Sequence, residues 1–374
     1  MRIAIDALGI GQPGGGRTAT LNQLTALLQV DRANEYLILV DHEEPLLRAP
    51  NARQLPVGAR GRLVSRLWAQ MAFPSLLRRE RVDLVHYMKN LGAFLTPGRT
   101  VVTVYDLSVL LYPRIYPPGD RLYWRWIEPL TLRHADRVVA ISEDTARDIG
   151  RFYGVSRERV RVIYPGYDES FRPLPSTESE RIRQKYRLPE TFVLHVGSIS
   201  RKKNLLPVVR AVARLQEQGQ EVRLVLAGRL YGKARDDELL RGLESGAFAS
   251  QVTWLGAVPE EELPALYNCA TALAFPSLQE GFGLVPLEAM ACGLPVVTSG
   301  AGAIGEVAGD AARVVEPADD ERAWSDALGR VLSNPELRQE MRAAGLGRAA
   351  HFSNAKSARE LLELYQEVMA PCCE

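Results

Sequence analysis

The sequence predicts an α/β protein built from two doubly wound domains. Three observations support this fold class: strand-like apolar runs alternate with helix-like segments in both halves, a proline- and glycine-containing break separates the halves, and 374 residues are too many for one ordinary core. We place the domains at 1–170 and 171–352, followed by a helix at 353–374 that crosses back to the first domain. Two such domains facing across a cleft would hold a ligand between them.

The first half opens with a strand and continues in regular alternation. Its predicted strands are the apolar runs at residues 3–8, 36–40, 84–87, 100–105, 138–142 and 160–164. Its predicted helices lie near residues 18–29, 63–79 and 121–134, with another beginning at Glu143. Strands that alternate with helices in this way form parallel sheets covered on both faces. The first half is therefore a doubly wound domain.

Proline and glycine break the pattern between the halves. Tyr164-Pro165-Gly166 ends the last strand of the first half, and Pro173, Pro175 and Ser176 continue the break as a linker. The second half then resumes with strands predicted at 192–196, 222–227, 252–255, 271–277 and 294–298. Its helices are predicted at 205–216, 238–243, 259–269, 287–291, 320–332, 335–350 and 355–369.

Composition excludes several classes of protein. The hydrophobic fraction of 46% and charged fraction of 24% are those of a globular protein, and a net charge of +1 argues against a dedicated nucleic-acid binder. The four cysteines have no metal-binding spacing. No signal peptide or apolar run of membrane-spanning length is apparent, so we expect a cytoplasmic location.

The most informative segment of the second half is residues 280–288, a glycine-rich turn that opens a helix. Gly281 and Gly283 allow a tight bend and present bare backbone N–H groups. Pro286 suits the first turn of a helix, and the apolar residues after it can carry that helix to a stop at Gly293. The positive end of a helix attracts phosphate.

Two carboxylates, Glu280 and Glu288, stand at either end of this segment. Beside a phosphate site they are placed to accept hydrogen bonds from the hydroxyls of a sugar or a ribose. Glycine-rich turns are common, and two glutamates at this spacing also arise by chance. The strands predicted at 271–277 and 294–298 favour the ligand site, because parallel sheets bind ligands at the carboxyl ends of their strands.

Taken together, the two halves resemble the retaining glycosyltransferases of family 4, the group 1 glycosyltransferases with the GT-B fold, nearly end to end. The segments that carry the resemblance are GGGR at 14–17, VVTVYDLS at 101–108, ADRVVAIS at 135–142, VGSISRKKN at 196–204, LVLAG at 224–228 and residues 280–295. The resemblance implies two Rossmann-like domains, the first binding the acceptor and the second a nucleotide sugar.

The resemblance also implies roles for individual residues. Glu280 would bind hydroxyls of the donor sugar, Glu288 the ribose hydroxyls, and Lys203 the diphosphate, on which charge develops as it leaves. A lysine at a helix start can also be merely solvated, but a cation there opposes the helix dipole, which favours an anionic partner. The other implied donor contacts are Gly281, Phe282, Gly283, Leu284, Lys202, Gly197, Ser198, Gly15 and Gly16.

The sequence departs from the family pattern at two positions. Tyr105 replaces a histidine that faces the donor sugar in the family, so sugar choice could be altered or that role absent. Ser198 replaces a phosphate-binding arginine, and Lys202 or Arg201 is expected to supply the charge instead.

Acceptor-side residues are harder to assign. Tyr105, Asp106 and His86 are candidates for the acceptor or the donor sugar. Asp106 could equally cap the following turn, and His86 could equally be a structural histidine. The acceptor itself is expected to be a hydroxyl on a glycan, a lipid-linked sugar or a small molecule.

The sequence predicts neither a metal nor a cofactor beyond the nucleotide-diphosphate sugar co-substrate. No Asp-x-Asp motif occurs, and Lys203 with the helix N-terminus could neutralise the diphosphate. A peripheral contact of the first domain with an anionic membrane is a further expectation, based on arginines around an apolar helix: Arg60, Arg62, Arg66, Arg78, Arg79 and Arg81. An ordinary packed helix with solvated arginines explains that pattern as well.

These observations predict a retaining, metal-independent hexosyltransferase that uses a mannose- or glucose-type nucleotide sugar. Two alternatives remain. One is a GT-B-fold nucleotide-sugar epimerase, which would need no acceptor. The other is a non-catalytic sugar-nucleotide-binding relative, for which Tyr105 and Ser198 are the support.

Overall fold

A computed structural model describes residues 1–8, 10, 14–57, 72–88, 92, 96–230 and 237–370 of the chain. The chain divides into two compact units. The first unit is Met1–Tyr167 together with Phe352–Glu374, and the second is Asp168–His351. Residues 63–71 of the arginine-rich helix predicted near 63–79 lie outside the described residues, whereas 72–79 are helical.

The first unit contains a parallel sheet of seven strands. In chain order these strands are β1 (Arg2–Asp6), β2 (Glu35–Val40), β3 (Ala52–Pro56), β4 (Leu84–Tyr87), β5 (Arg99–Val104), β6 (Arg137–Ala140) and β7 (Val160–Val162). Their spatial order is β3-β2-β1-β4-β5-β6-β7. The order reverses direction between β1 and β4, and such a switch point leaves a crevice at the carboxyl ends of the strands.

Helices cover both faces of this sheet. They are α1 (Gly15–Val30), α2 (72–79), α3 (Ser108–Leu111), α4 (Pro118–Trp126), α5 (Glu128–His134) and α6 (Glu143–Tyr153). The predicted single helix at 121–134 is wrong, because α4 ends before Pro129. Proline has no N–H to continue the helical ladder and lies in the first turn of α5 instead.

The second unit contains a parallel sheet of six strands. They are β8 (Phe192–Val196), β9 (Arg223–Ala227), β10 (Val252–Gly256), β11 (Ala272–Phe275), β12 (Val296–Thr298) and β13 (Ala312–Val314). Their order is β10-β9-β8-β11-β12-β13, so the switch point lies between β8 and β11. The α/β class and the doubly wound topology predicted from the sequence are confirmed.

The helices of the second unit complete the alternation. They are α7 (Ser176–Tyr186), α8 (Leu206–Glu217), α9 (Asp237–Glu244), α10 (Leu263–Cys269), α11 (Leu284–Ala291), α12 (Ala303–Ala308), α13 (Glu321–Ser333) and α14 (Pro335–Ala349). The linker assigned from the prolines is too long, because Ser176 already begins α7. Trp324 of α13 is fully buried in the core against the sheet.

The last helix, α15 (Asn354–Met369), belongs to the first unit. It packs on α1, where the amide of Gln23 donates to the Ser357 hydroxyl at 2.8 Å in the interior. Leu361 and Tyr365 of α15 are fully buried in the same core as strand β1. No helix among the described residues is long and apolar enough to cross a bilayer.

Candidate functional site

The sequence-predicted donor residues of the second unit gather at the carboxyl ends of β8 and β11. These two strands are neighbours on either side of the switch point. Lys203 ends a short 3₁₀ turn that follows β8, and Glu280 lies in the loop that follows β11. The fold therefore brings together two side chains that are 77 positions apart in sequence.

Lys203 and Glu280 form a direct ion pair. The lysine Nζ donates to Glu280 Oε1 at 2.6 Å, and the two side chains are only 13% and 17% exposed. Nζ also lies 4.7 Å from the centre of the Phe275 ring, a favourable cation–π distance. Burial raises the pKa of Glu280, but the charges of Lys203 and Lys202 and the hydrogen bonds from Lys203 and Ser277 together lower it to about 2. Glu280 is therefore a carboxylate at neutral pH.

Backbone hydrogen bonds hold the two loops together. The Leu278 N–H donates to the carbonyl of Lys202 at 2.9 Å, which joins the loop after β11 to the turn that carries Lys203. Asn204 ends that turn in the left-handed conformation and donates from its side chain to the carbonyl of Ala318 at 3.0 Å. Hydrogen bonds at the residues before and after Lys203 thus fix its position.

The loop after β12 fixes the backbone of Glu280. The Ala303 N–H donates to the Glu280 carbonyl at 3.0 Å. Gly302 passes so close that a Cβ atom would lie 2.6 Å from the same carbonyl oxygen, at a φ of +63°. Only glycine fits there without displacing Glu280.

The predicted glycine-rich turn forms and leads into α11. Gly283 takes a φ of +107° immediately before Leu284, the first helical residue, while Gly281 and Phe282 are buried. The helix stops as expected, with Gly293 left-handed at φ +74° and its N–H bonded to Met290. Because the positive end of α11 lies at this turn, its electrostatics favour an anion beside Glu280.

Glu288 lies within α11 and is 7% exposed. The Tyr267 hydroxyl donates to its Oε2 at 3.0 Å. Burial raises the pKa of Glu288 to about 8, an effect that the Tyr267 bond only partly offsets and that nearby Glu260 and Asp168 reinforce. Without a ligand, Glu288 is therefore largely protonated at neutral pH.

The other predicted donor residues lie in the same turn after β8. Gly197 has a φ of +135°, and its carbonyl oxygen approaches Gly228 so closely that a Cβ on Gly228 would lie 1.7 Å away. Ser198 and Lys202 are half-buried in this turn. Glycine at 197 and 228 thus allows the turns after β8 and β9 to pack together.

Two aromatic residues stacked beside the ion pair were not predicted from the sequence. Phe275 underlies Lys203, and the buried His195 stacks on Phe275 with ring centres 5.8 Å apart. Both lie inside apolar strand segments, where an aromatic or histidine side chain is normally part of the core. The polar histidine at 195 within an otherwise apolar run was the available signal.

The predicted residues of the first unit are bonded within that unit. Gly15 and Gly16 are exposed at the start of α1, with no atom near the position of an added Cβ. The Tyr105 hydroxyl lies 2.7 Å from that of Thr20, and burial raises the pKa of Tyr105 to about 12. Tyr105 is therefore a neutral phenol at the end of β5.

Asp106 and His86 have hydrogen-bond partners within the first unit. Asp106 Oδ1 accepts the Ser108 N–H at 3.1 Å, as a capping residue does. His86 is fully buried, with Nδ1 2.6 Å from the Tyr365 hydroxyl and Nε2 2.7 Å from the Thr103 hydroxyl. This placement favours the structural interpretation of His86.

Fold and site together define a doubly wound α/β protein with a Lys–Glu ion pair and a glycine-rich helix start at the switch point of its second unit. In the described part of the chain, no cluster of three or more His, Cys, Asp or Glu side chains is arranged to hold a metal ion.

Comparison with known proteins identifies the family. Residues 13–171 match the model of Glycosyltransferase Family 4, and residues 178–348 match that of Glycosyl transferases group 1. The chain is 32% identical over 273 residues to O-antigen chain mannosyltransferase B of Escherichia coli, covering 72% of this chain and 70% of that protein. The chain therefore belongs to the family 4, group 1 glycosyltransferases, enzymes of carbohydrate biosynthesis.

Two further comparisons extend this result. The serotype-specific mannosyltransferase WbdA of E. coli is 30% identical over 289 residues, which cover 76% of this chain but 35% of that relative. The matched region is thus about a third of the relative's length. A sucrose-phosphate synthase from Thermosynechococcus elongatus superimposes with a TM-score of 0.80 at 21% identity, covering 98% of this chain and 99% of that one. That likeness shows the GT-B fold.

Proposed function

We propose that this glycosyltransferase is a retaining hexosyltransferase that moves a mannose- or glucose-type sugar from a nucleotide-diphosphate sugar to a hydroxyl acceptor. The observation that carries the proposal is the largely desolvated Lys203–Glu280 pair beside the N-terminus of α11. A buried ion pair is weak evidence for stability, since desolvation offsets most of its attraction. A role in binding the donor accounts for its place at the switch point.

Lys203 and the first turn of α11 would act on the leaving diphosphate. The bond from the anomeric carbon to the diphosphate oxygen breaks as negative charge builds on that oxygen. A fixed ammonium and fixed N–H groups stabilise this charge without reorganisation. The acceptor hydroxyl attacks from the same face, forms the new C–O bond, and passes its proton to the departing phosphate.

Glu280 and Glu288 would recognise hydroxyls at the two ends of the donor. Glu280 is ionised and held at one oxygen by Lys203, which leaves acceptor capacity for hydroxyls of the transferred sugar. Glu288 would accept from the ribose hydroxyls after losing its proton. Lys202, in the same turn as Lys203, would add positive charge in place of the arginine replaced by Ser198.

The donor and acceptor classes rest on the relatives. Two of the proteins compared above are mannosyltransferases by name, which supports a mannose-type donor, and one acts on an O-antigen chain, which supports a glycan acceptor. All three are transferases or synthases by name, so neither the epimerase nor the non-catalytic alternative is favoured. We also propose that the enzyme needs no divalent metal, since Lys203 and α11 supply positive potential for the diphosphate.

We also propose that the first unit contacts an anionic membrane peripherally. Of the six arginines that predict it, Arg60, Arg62 and Arg66 lie outside the described residues. Co-sedimentation with vesicles containing 30% phosphatidylglycerol, compared with pure phosphatidylcholine vesicles, tests this contact; equal sedimentation with both would reject it.

A donor screen tests the proposed function. The purified protein in EDTA is heated with GDP-mannose, UDP-glucose, ADP-glucose or dTDP-glucose. A ligand at about 100 times its dissociation constant adds about 2.7 kcal/mol of stability, a clear shift of the unfolding midpoint. The stabilising donor is then incubated with glycan acceptors, and NMR of the product must show the donor's anomeric configuration. Inverted product, or conversion of the donor without an acceptor, would contradict the proposal.

A further inference from the structure

His195 is a buried polar group that the proposed mechanism leaves unused. It lies near the carboxyl end of β8, and its side chain has no exposed surface. Its ring is nearly parallel to that of Phe275, at an angle of 17°. The Lys203 ammonium also lies over the Phe275 ring, 4.7 Å from the ring centre. One aromatic ring therefore contacts both His195 and the lysine of the donor site.

The hydrogen bond at Nδ1 determines which ring nitrogen of His195 carries the proton. Nδ1 lies 3.1 Å from the carbonyl oxygen of Ala274, which can only accept, so Nδ1 is the donor. Burial lowers the pKa of His195 to about 3, and the charge of Lys203 contributes in the same direction. The ring is therefore neutral at physiological pH, and Nε2 is a bare acceptor.

Nε2 is buried and has no hydrogen-bond partner among the described residues. Folded proteins rarely leave a buried acceptor unsatisfied, and such exceptions are often found at functional positions. A Cβ atom added to Gly197 would lie 3.7 Å from Nε2 and 3.8 Å from Lys203 Nζ. The lone pair of His195 and the ammonium of Lys203 thus border the same small region beside Gly197.

We propose that His195 is a positioning residue for Lys203, with Nε2 as an acceptor that orients the ammonium toward the donor's diphosphate. This inference rests on the proposed function. An ammonium has three N–H donors. Glu280 accepts one at 2.6 Å in the ligand-free structure. In the donor complex the diphosphate would accept the second, and the unpartnered Nε2 would accept the third. With three acceptors, rotation about the Cε–Nζ bond is restricted and one N–H stays aimed at the phosphate.

Two substitutions separate the roles of the two ring nitrogens. In H195N, the shorter amide reaches the position of Nδ1 and keeps a donor for Ala274, but no acceptor reaches the position of Nε2. In H195Q, the longer amide keeps an acceptor near Nε2 and gives up the donor at Nδ1. Both variants change the same buried site, so each is the matched control for the other.

Calorimetric titration with GDP and UDP, and with GMP and UMP, provides the measurement. H195N should bind the diphosphate about tenfold more weakly than the wild type, the loss expected for one charge-assisted hydrogen bond. Its affinity for the monophosphate, which lacks the terminal phosphate, should change less than about twofold. H195Q should stay within about twofold of the wild type for the diphosphate.

A double-mutant cycle gives a second readout. In a Lys203→Met background, H195N should cause no further loss of diphosphate affinity, because the side chain it positions is gone. If H195N does not fold, H195F keeps the stacking on Phe275 and takes its place with the same expectation.

A purely structural His195 predicts different results. Equal losses for diphosphate and monophosphate, weaker binding by H195Q than by H195N, or an undiminished H195N effect in the Lys203→Met background would each overturn the proposal. If none of the four nucleoside diphosphates of the donor screen binds the wild type, the proposed function itself fails, and this inference fails with it.

Discussion

The second unit contains two Lys–Glu ion pairs of the same length in different surroundings. Lys203–Glu280 and Lys185–Glu262 both have an N–O distance of 2.6 Å. Lys185 is 50% exposed at the end of α7, whereas Lys203 is 13% exposed at the switch point. Two ion pairs of equal length therefore differ in the exposure of their lysines and in their place in the sheet, and these differences favour Lys203–Glu280 as the candidate site.

The two ion pairs differ in how strongly solvent screens their charges. The Lys185–Glu262 pair has a half-exposed lysine, which solvent screens, so the pair adds little to stability. Lys203 and Glu280 have both lost most of their water, and this desolvation offsets much of their mutual attraction. We therefore expect function to depend on Lys203 and to be insensitive to Lys185.

The largest expected effect comes from removing the two lysine charges separately. Lys203→Met keeps the length of the side chain and should lower the rate of sugar transfer about 10²–10³-fold, as losing one stabilising group at a leaving oxygen typically does. Lys185→Met should transfer at the wild-type rate. Steady-state assays with the donor found by the screen measure both. Similar transfer rates for the two variants would contradict the expectation that only Lys203 acts in sugar transfer.

The next largest difference is expected between substitutions of two carboxylates of the second unit, Glu288 and Glu262. Glu288→Gln should weaken nucleoside diphosphate binding about tenfold, because an amide is a poorer acceptor for ribose hydroxyls than a carboxylate. Glu262→Gln should bind normally. Calorimetry with the 2′,3′-dideoxy nucleotide is the control: it should bind the wild type and Glu288→Gln equally. Weaker binding of the dideoxy nucleotide by Glu288→Gln than by the wild type would contradict the ribose-binding role of Glu288.

The pH dependence of binding follows from the raised pKa of Glu288, about 8. If the ribose binds the ionised form, affinity rises with pH until about 8, and binding at pH 7 releases a proton. Titrations in two buffers of different ionisation heat measure that proton. Glu288→Gln should release none. Proton uptake by the wild type would have the wrong sign for this account.

Tyr267→Phe should produce the smallest effect. The Tyr267 hydrogen bond lowers the pKa of Glu288, so its loss raises that pKa further and leaves less of the ionised form at pH 7. Affinity should fall about threefold at pH 7 and recover near pH 9. A loss that is the same at both pH values would indicate a packing defect, since the Tyr267 ring also contacts Phe171 edge-on.

Much of the fold could be predicted because the central strands are continuous apolar runs. Strands β3 and β13 escaped prediction because they are sheet edges, where polar residues such as Arg53 and Arg313 occupy half-buried or exposed positions. Helix α7 was missed because its flanking prolines looked like a linker, although Pro175 directly precedes its first turn.

The site could be predicted only in part. Glu280, Glu288 and Lys203 stand out as charges beside glycine turns, and the turn at Gly283 has the predicted form. Their mutual geometry was not predictable, because the Lys203–Glu280 contact depends on the pairing of β8 with β11. His195 was missed because its proposed role depends on the hydrogen bond between its Nδ1 and the Ala274 carbonyl. The spacing of residues in the sequence does not reveal that bond.

Calorimetric titration of GDP-mannose and UDP-glucose into the wild type and Lys203→Met, both in EDTA, tests the central claim most directly. The account predicts that one donor binds the wild type without metal, and that Lys203→Met weakens this binding at least about tenfold. Equal affinity in the two proteins would contradict the claim that Lys203 holds the donor's diphosphate.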